Sequence, residues 1–258
     1  MSKFNEALSI LRDDGIIKLF KKIYESYFEY VVLSIRGKSN INIDSYSIEV
    51  NISNKGSYKE MRHINNTEIS IIKDMLDESE KSDTFLDIGA NMGVHSIFID
   101  KKVEDVYSIE PHPVNLSHLN INSHINQSGI SMYACGFSDT AGYIEINSSR
   151  TGMQVDGRAS IKRPNDNKNN STILVRLEKG DKFIQQNELD IPEMIKVDVE
   201  GAEMSVLRGL EDTINHASCK VIYCEYHNNE KNIRSFLKSA GYSTTLIGDG
   251  RIIKAMRE

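Results

Sequence analysis

Short runs of apolar residues alternate along most of the chain with stretches in which apolar residues recur every three or four positions. A short apolar run predicts a buried strand, and the three-to-four spacing predicts a helix with one apolar face. The predicted elements from residue 84 onward are a strand at 84–88, a helix at 94–102, a strand at 105–109, a helix at 113–126 and a strand at 130–134. Because this alternation is typical of a parallel sheet with right-handed crossovers, it predicts an α/β fold.

The alternation resumes near the end of the chain. Apolar runs predict a strand at 194–198, followed by a helix, and a further strand at 221–227 with Glu225 and His227 at its end. The last two runs, 244–247 and 251–255, are joined by a short segment rich in glycine and predict a closing hairpin.

A long polar insert at 148–171 separates two further strand-like stretches, 143–147 and 172–177. Long loops in compact domains are usually lids or disordered segments, so we expect a mobile segment near a substrate-binding site. Its basic residues are Arg150, Arg158, Lys162 and Arg163. One interpretation of this charge is an anionic acceptor, and the other is a solvated loop.

Residues 4–35 have a helical pattern that is interrupted at 13–15. The second piece is amphipathic and carries Lys18, Lys21 and Lys22 near its start. One interpretation is a helix that packs on the catalytic domain or on another subunit of a homo-oligomer. The other is a helix that lies on a membrane surface.

The next segment, 41–52, alternates in a way that predicts a hairpin. A helix capped by Asn66 or Thr67 is expected to follow it and to help shape a pocket before the first central strand. These features divide the chain into an N-terminal helical segment with a hairpin, 1–60, and a cofactor-binding domain, 61–258.

The composition is that of an ordinary globular protein, with a net charge of −6 and a pI of about 5.7. This acidic balance argues against a nucleic-acid-binding protein. The three cysteines form no C-x-x-C pair, which favours reduced thiols. The sequence shows neither a signal peptide nor an apolar run of about 20 residues. It predicts a cytoplasmic protein, and the amphipathic helix leaves open peripheral contact with the inner face of the membrane.

The segment Asp87-Ile88-Gly89-Ala90-Asn91-Met92-Gly93 predicts a turn between the first central strand and a helix. Gly89 permits a sharp turn and close approach of a ligand to the backbone. A dinucleotide site requires glycine at the position of Asn91, whose side chain would crowd a pyrophosphate. Asp87 suits a cationic ligand, such as the sulfonium and amino groups of S-adenosylmethionine. The alternative is an ordinary strand–turn–helix unit without a ligand.

Glu110 ends the next predicted strand, 21 residues after Gly89. Doubly wound folds place an acid at about this offset to accept hydrogen bonds from ribose hydroxyls. The alternative is a strand-end acid that faces solvent. Asn115, in the first turn of the following helix, is a candidate for binding an edge of the cofactor, although asparagine is also common where helices start.

Four segments resemble successive motifs of the FkbM family of S-adenosylmethionine-dependent methyltransferases, over about residues 60–245. These segments are Asp87–Gly93, Ile109–Pro111, Cys135–Asp139 and Ile195–Glu203. The resemblance implies a Rossmann-like class I methyltransferase fold with a mostly parallel seven-stranded sheet, helices on both faces and a C-terminal antiparallel hairpin, preceded by an N-terminal helical appendage. It also implies O-methylation, often of sugars or polyketide-like natural products.

The resemblance implies S-adenosylmethionine as the cofactor. The residues expected to bind it are Asp87, Gly89, Ala90, Asn91, Gly93, Glu110, Pro111, Asn115, Phe137, Ser138 and Asp198. Phe137 and Ser138 lie where the family has its adenine wall, one for apolar packing and one for a hydrogen bond. A plain turn at Gly136 is the alternative there.

Lys196, Asp198 and Glu200 alternate along a predicted strand and therefore share one face. Asp198 is expected to lie beside the transferred methyl group. A hydroxyl acceptor must lose its proton during transfer. The predicted base is His227 or Asp198, with Glu225 orienting the acceptor.

Several alternatives stay open. His95 and His112 are competing bases near the predicted cofactor turns. Asp198 and Glu225 are alternatively ligands of a divalent metal, but no third ligand is evident and no metal is predicted. The rival functions are a nucleotide-linked oxidoreductase, disfavoured by Asn91, and an inactive cofactor-binding fold that acts in assembly or at a membrane. The predicted partner is a small-molecule or glycan acceptor.

Overall fold

The computed structural model describes residues 15–148, 171–227 and 229–258. The strands in these ranges are β1 (Lys38–Ile43), β2 (Tyr46–Asn51), β3 (Thr84–Ile88), β4 (Asp105–Ile109), β5 (Ser131–Tyr133), β6 (Gly136–Ser138), β7 (Gly142–Ser148), β8 (Ser171–Lys179), β9 (Met194–Val197), β10 (Val221–Glu225), β11 (Tyr242–Ile247) and β12 (Ile252–Arg257). The helices are α1 (Gly15–Arg36), α2 (Lys55–His63), α3 (Ile69–Glu78), α4 (Val94–Asp100), α5 (Pro113–Asn126), α6 (Gly180–Gln186), α7 (Glu203–Gly209), α8 (Glu211–Asn215) and α9 (Glu230–Ser239).

Seven of these strands form one sheet in the spatial order β5-β4-β3-β9-β10-β12-β11. The first five run parallel, whereas β12 is antiparallel to both β10 and β11. The predicted α/β fold, the mostly parallel seven-stranded sheet and the closing hairpin are therefore confirmed. Because the five central strands are parallel, their carboxyl ends meet at one edge of the sheet, where open α/β sheets bind ligands.

The central strands are covered on both faces. Neighbouring residues of β3, such as Phe85 and Leu86, belong to two different buried clusters, and so do Ile222 and Tyr223 of β10. All five residues of β3 are buried. This double burial explains why these strands are continuous apolar runs in the sequence.

A second, three-stranded sheet has the order β6-β8-β7. Its long antiparallel pair, β7 and β8, confirms the strand-like stretches predicted at 143–147 and 172–177. Residues 136–138 form a strand parallel to β8 rather than a plain turn. The polar insert predicted at 148–171 lies, between 149 and 170, outside the described residues.

The predicted hairpin forms from β1 and β2. Apolar side chains of both strands are buried in the same cluster as those of α3 and α4. Two asparagines of α5 tie β2 in place, because Asn122 Oδ1 accepts from the Asn51 N–H and Asn126 Oδ1 from the Glu49 N–H, each over 2.8 Å. The hairpin is thus packed into the core of the main domain.

Helix α1 covers the second part of the predicted 4–35 helix, and residues 4–14 lie outside the described part. Tyr30 and Leu33 of α1 pack against the core, while Tyr24, Tyr27 and Phe28 are exposed. No helix in the described ranges is both long and apolar enough to cross a membrane.

The helical region before β3 begins earlier than predicted. Asn54, rather than Asn66 or Thr67, is the N-cap, because its side chain accepts from the Gly56 and Ser57 N–H groups. Helix α2 continues into α3 through one turn of π-helix, Ile64–Glu68. This arrangement brings side chains of α2 and of the π-turn to the carboxyl edge of the main sheet.

Candidate active site

A cavity of about 290 Å³ opens at the carboxyl edge of the main sheet. It lies between the ends of β3, β4, β9 and β10 on one side and the second sheet on the other. Ile109, Phe137, Ile144, Ile146 and Leu177 give one part of the cavity an apolar wall. The remaining wall is mostly polar and is dominated by carboxylates and imidazoles.

The glycine turn after β3 is fixed by its neighbours. Gly89 has φ +83°, and a Cβ there would lie 1.9 Å from the Asp198 carbonyl oxygen. A Cβ at Gly93, also at φ +83°, would lie 2.2 Å from Leu119 Cδ1 of α5. Both positions therefore require glycine for backbone conformation and for space, and Gly89 lines the cavity.

Asn91 links the turn to two acids. It adopts φ +52°, its N–H donates to Glu110 Oε2 over 2.8 Å, and its Nδ2 donates to Glu60 Oε1 over 2.9 Å. Burial, reinforced by the charge of Glu68, raises the pKa of Glu60 to about 7. Glu60 comes from α2, a helix that the sequence motifs did not implicate.

Glu110 lines the cavity and is held by neutral donors. Its Oε1 accepts from the His112 N–H over 2.7 Å, and Asn115 Nδ2 lies 3.4 Å away. Burial raises the pKa of Glu110 to about 7, although its hydrogen bonds oppose the shift. Asn115 Oδ1 is buried and has no hydrogen-bond partner among the described residues. This edge of the cavity therefore has hydrogen-bonding capacity left for a polar ligand.

Asp87 is fully buried and does not line the cavity. Its carboxylate accepts from Ser96 Oγ over 2.6 Å and lies 3.4 Å from Lys196 Nζ. Lys196 Nζ also lies 3.3 Å from Asp198 Oδ2. Burial lowers the pKa of Lys196, but the carboxylates of Asp87, Asp198 and Glu68 outweigh this and raise it. Asp87 is therefore connected to the cavity only indirectly. It pairs with Lys196, which also pairs with Asp198 in the cavity wall.

The polar wall contains a second pair of acids near Asp198. Burial and the charge of Asp198 raise the pKa of Glu225 to about 6, and Arg251 lies 3.6 Å from its carboxylate. Glu68, from the π-turn, is paired with His63 at 3.2 Å and with His95 at 3.4 Å. Burial works to raise the pKa of Glu68, but these histidines lower it to about 2. Nowhere in the described part are three or more His, Cys, Asp or Glu side chains arranged to hold a metal ion.

The three candidate histidines have different partners. His112 caps α5, since its Nδ1 accepts from the Val114 N–H over 3.2 Å. His95 is buried against Glu68. His227 lines the cavity, and its Nδ1 lies 2.6 Å from Glu203 Oε1. Nε2 of His227 is therefore not used to cap a helix, as Nδ1 of His112 is.

The family model described as the methyltransferase FkbM domain matches residues 87–244, more than half of the chain. The chain belongs to the FkbM methyltransferase family. It is 25% identical over 179 residues to the hexuronic acid methyltransferase AglP of Haloferax volcanii, which covers 69% of this chain and 71% of the relative. It is 24% identical over 184 residues to methyltransferase 1 of Beauveria bassiana, covering 64% and 74%.

A crystal structure of methyltransferase FkbM from Methylobacillus flagellatus KT aligns with a TM-score of 0.49 and 20% identity. The alignment covers 71% of this chain and 46% of that protein, so the chain spans less than half of its length.

Within this FkbM domain, the structure brings most of the predicted site residues together. Those that line the cavity are Gly89, Asn91, Glu110, Pro111, Asn115, Phe137, Asp198, Glu225 and His227. Those that do not are Asp87, Ala90, Gly93 and Ser138. Ala90 is buried beneath the turn, and Ser138 Oγ donates to its neighbour Asp139.

Sequence reasoning missed four groups of the polar wall and one behind it. Glu60, His63, Glu68 and Arg251 line the cavity, and Glu203 contacts His227. A helix before β3 was expected to shape the pocket, but its acids carry no motif of their own. The signal for Glu203 was its place in the family-like block at 195–203.

Proposed function

We propose that this FkbM-family protein transfers the methyl group of S-adenosylmethionine to a hydroxyl of a sugar. The observation that carries the proposal is the division of the cavity into an apolar wall with a hydrogen-bonding edge and an acid-rich wall. S-adenosylmethionine has the same division, because its adenosine is largely apolar in its ring faces and its sulfonium and ammonium are cationic.

The residues present fit this cofactor. Phe137, Ile144 and Leu177 offer apolar surface for an adenine ring. Glu110 is placed to accept hydrogen bonds from ribose hydroxyls, and the unpartnered Oδ1 of Asn115 is an acceptor for a polar edge of the ligand. Asp198 lies at the end of β9 beside Gly89, where it would face a cation. When bound, the cofactor supplies an electrophilic methyl group on a good leaving group.

His227 is the proposed base for a hydroxyl acceptor. It lines the cavity together with Asp198 and Glu225, and its Nδ1 is already held by Glu203. The other candidate, Asp198, is paired with Lys196 at 3.3 Å. Holding the acceptor hydroxyl between His227 and the methyl group would account for much of the catalysis, since methyl transfer depends mainly on positioning.

A sugar acceptor is supported by the chemistry of the polar wall. Carboxylates and imidazoles, such as those of Glu225 and His227, form hydrogen bonds with hydroxyl groups. Arg251 is the one Arg or Lys side chain among the described lining residues, and a guanidinium pairs well with a carboxylate. The relative from Haloferax volcanii is a hexuronic acid methyltransferase, which favours a uronic acid as the first acceptor to try.

The test is transfer of labelled methyl from S-adenosylmethionine to glucuronic acid, galacturonic acid and their neutral parent sugars. Base-stable label on a uronic acid is the expected result, because a methyl ether on a hydroxyl resists mild base. Base-labile label would show a methyl ester on the carboxylate and would contradict the hydroxyl assignment.

His227→Gln separates these outcomes further. Removing a general base slows transfer to a hydroxyl by about 100-fold or more, whereas a carboxylate needs no base to attack a methyl group. Binding of S-adenosylhomocysteine, measured by calorimetry, should be unchanged in this variant. Binding of NAD instead of S-adenosylhomocysteine would favour the oxidoreductase.

A further inference from the structure

The imidazole of His227 lies between two carboxylates that differ in their surroundings. Nδ1 is 2.6 Å from Glu203 Oε1, and Nε2 is 3.4 Å from Glu200 Oε2. The Glu203 side chain is fully buried, whereas that of Glu200 is 37% exposed. Glu203 therefore makes the shorter and more buried contact, and Glu200 makes the longer and partly exposed one.

Glu203 is itself held in one orientation. It begins α7, and its Oε1 also accepts from the Gly201 N–H over 2.8 Å. Its Oε2 is buried without a hydrogen-bond partner among the described residues. A buried carboxylate is costly unless it is paired or hydrogen-bonded, and the contacts of Oε1 with His227 and with the Gly201 N–H offset this cost.

We propose that Glu203 is a positioning residue that keeps the proton of neutral His227 on Nδ1 and leaves Nε2 as the proton acceptor at the cavity. An ionised carboxylate has no hydrogen to donate. At 2.6 Å it tolerates an N–H at Nδ1 but repels a lone pair there. In this way, the hydrogen-bond partner of one ring nitrogen decides whether the other nitrogen donates or accepts a proton. The role of Nε2 as proton acceptor in catalysis rests on the proposed function, whereas the tautomer itself does not.

The charges around the ring act in the same direction. The carboxylates that face His227 are Glu200 and Glu203, which follow β9, and Glu225, which ends β10. Burial lowers the pKa of His227, but these three carboxylates outweigh it and raise the pKa above its usual value. Glu203 therefore both orients the ring and makes Nε2 more basic.

The tautomer is measured directly by two-dimensional NMR of protein labelled with 15N in its histidines. His227→Gln identifies the His227 signals among those of the seven histidines. The wild-type protein is expected to show the Nδ1–H form at high pH and a His227 pKa above 6.5. Glu203→Gln keeps the shape of the side chain but removes its charge, so the pKa is expected to fall by about one unit.

Glu200→Gln is the matched control, because it removes a carboxylate of the same type from the Nε2 side. It is expected to lower the pKa of His227 less and to leave the Nδ1–H form in place. A wild-type His227 with its proton on Nε2 would overturn the proposal, even if the Glu203 variants did not fold. An unchanged His227 pKa in folded Glu203→Gln would also overturn it. The spectra need no cofactor, so their result is separate from that of the methyl-transfer assay.

Discussion

Asp87 and Glu110 are acids near the ends of two neighbouring parallel strands, and both are buried, yet only Glu110 lines the cavity. The register of the strands explains the difference. Asp87 pairs with Ser108, inside the ladder, whereas Glu110 follows the last paired residue of β4. The Asp87 carboxylate is therefore buried in the packing against the sheet, and the Glu110 carboxylate lies at the carboxyl edge of the sheet.

Their partners differ accordingly. Asp87 is held by a hydroxyl and by the ammonium of Lys196, so its carboxylate has a cationic partner inside the protein. Glu110 is held by two backbone N–H groups and the amide of Asn115. The comparison teaches that the position of an acid relative to the last ladder pair, and not its burial, decides whether it lines the cavity.

The largest effect is expected from unpairing Asp87. Lys196→Met should lower the free energy of unfolding by about 3–5 kcal/mol, because it leaves a buried carboxylate without its counter-ion. Urea denaturation at pH 7 measures this change. The double variant Asp87→Asn with Lys196→Met removes both charges and should recover a large part of the loss. A single variant as stable as the wild type would mean that the buried pair does not hold Asp87.

The opposite pattern is expected for Glu110. At pH 8, where its carboxyl is ionised, Glu110→Gln should weaken S-adenosylhomocysteine binding by about 30-fold, because a ribose hydroxyl loses a charged acceptor. At pH 4.5, where the folded wild type keeps the proton on Glu110, the free energy of unfolding should change little, since no counter-ion is left behind. Calorimetric titration beside Asp87→Asn checks the contrast. A larger loss of affinity in Asp87→Asn than in Glu110→Gln would reverse the roles assigned to the two acids.

A smaller loss of affinity is expected at Asn115, whose buried Oδ1 has no hydrogen-bond partner among the described residues. Asn115→Ala should weaken S-adenosylhomocysteine binding by about 10-fold, the effect of one neutral hydrogen bond plus contact area. Asn120→Ala is the control, because Asn120 is an exposed asparagine on the same helix. Equal affinities for the two variants would remove Asn115 from the binding site.

The effect that is smallest per pH unit is the pH dependence of stability. Burial raises the pKa of Glu110 from 4.5 to about 7, so the folded protein binds this proton more tightly than the unfolded chain. The stabilisation from this proton is fully present below about pH 4.5 and is lost as the pH rises towards 7, at a slope of about 1 kcal/mol per pH unit. The difference in unfolding free energy between the wild type and Glu110→Gln isolates this contribution. A difference that does not change between pH 5 and pH 7 would show that Glu110 is ionised throughout.

The sequence predicted best what depends on continuous patterns. The strands at 84–88 and 105–109 are buried on both faces, so their apolar runs coincide with the observed bounds of β3 and β4. The helix at 113–126 likewise begins at a proline and ends with a left-handed residue, Gln127, as its cap. Local signals of this kind do not depend on distant parts of the chain.

What the sequence missed depends on distant partners. Gly136–Ser138 is only three residues long and becomes a strand by pairing with residues 177–179. Glu60 lies on α2, which continues into α3 through a π-turn, and it lines the cavity. No local pattern in the sequence predicted that turn. Asp87 was expected to face the ligand because the motif places it next to the turn, but Lys196, more than a hundred residues away, pairs with it.

The most direct test of the account is a crystal structure of the protein grown with S-adenosylhomocysteine. We predict that the adenine lies against Phe137, that the ribose hydroxyls contact Glu110, and that the homocysteine extends towards Asp198, with Asp87 still paired to Lys196. A ligand that contacts Asp87 and leaves Glu110 bound only to its backbone donors would contradict the distinction between the two acids. A ligand bound outside this cavity would contradict the proposed site as a whole.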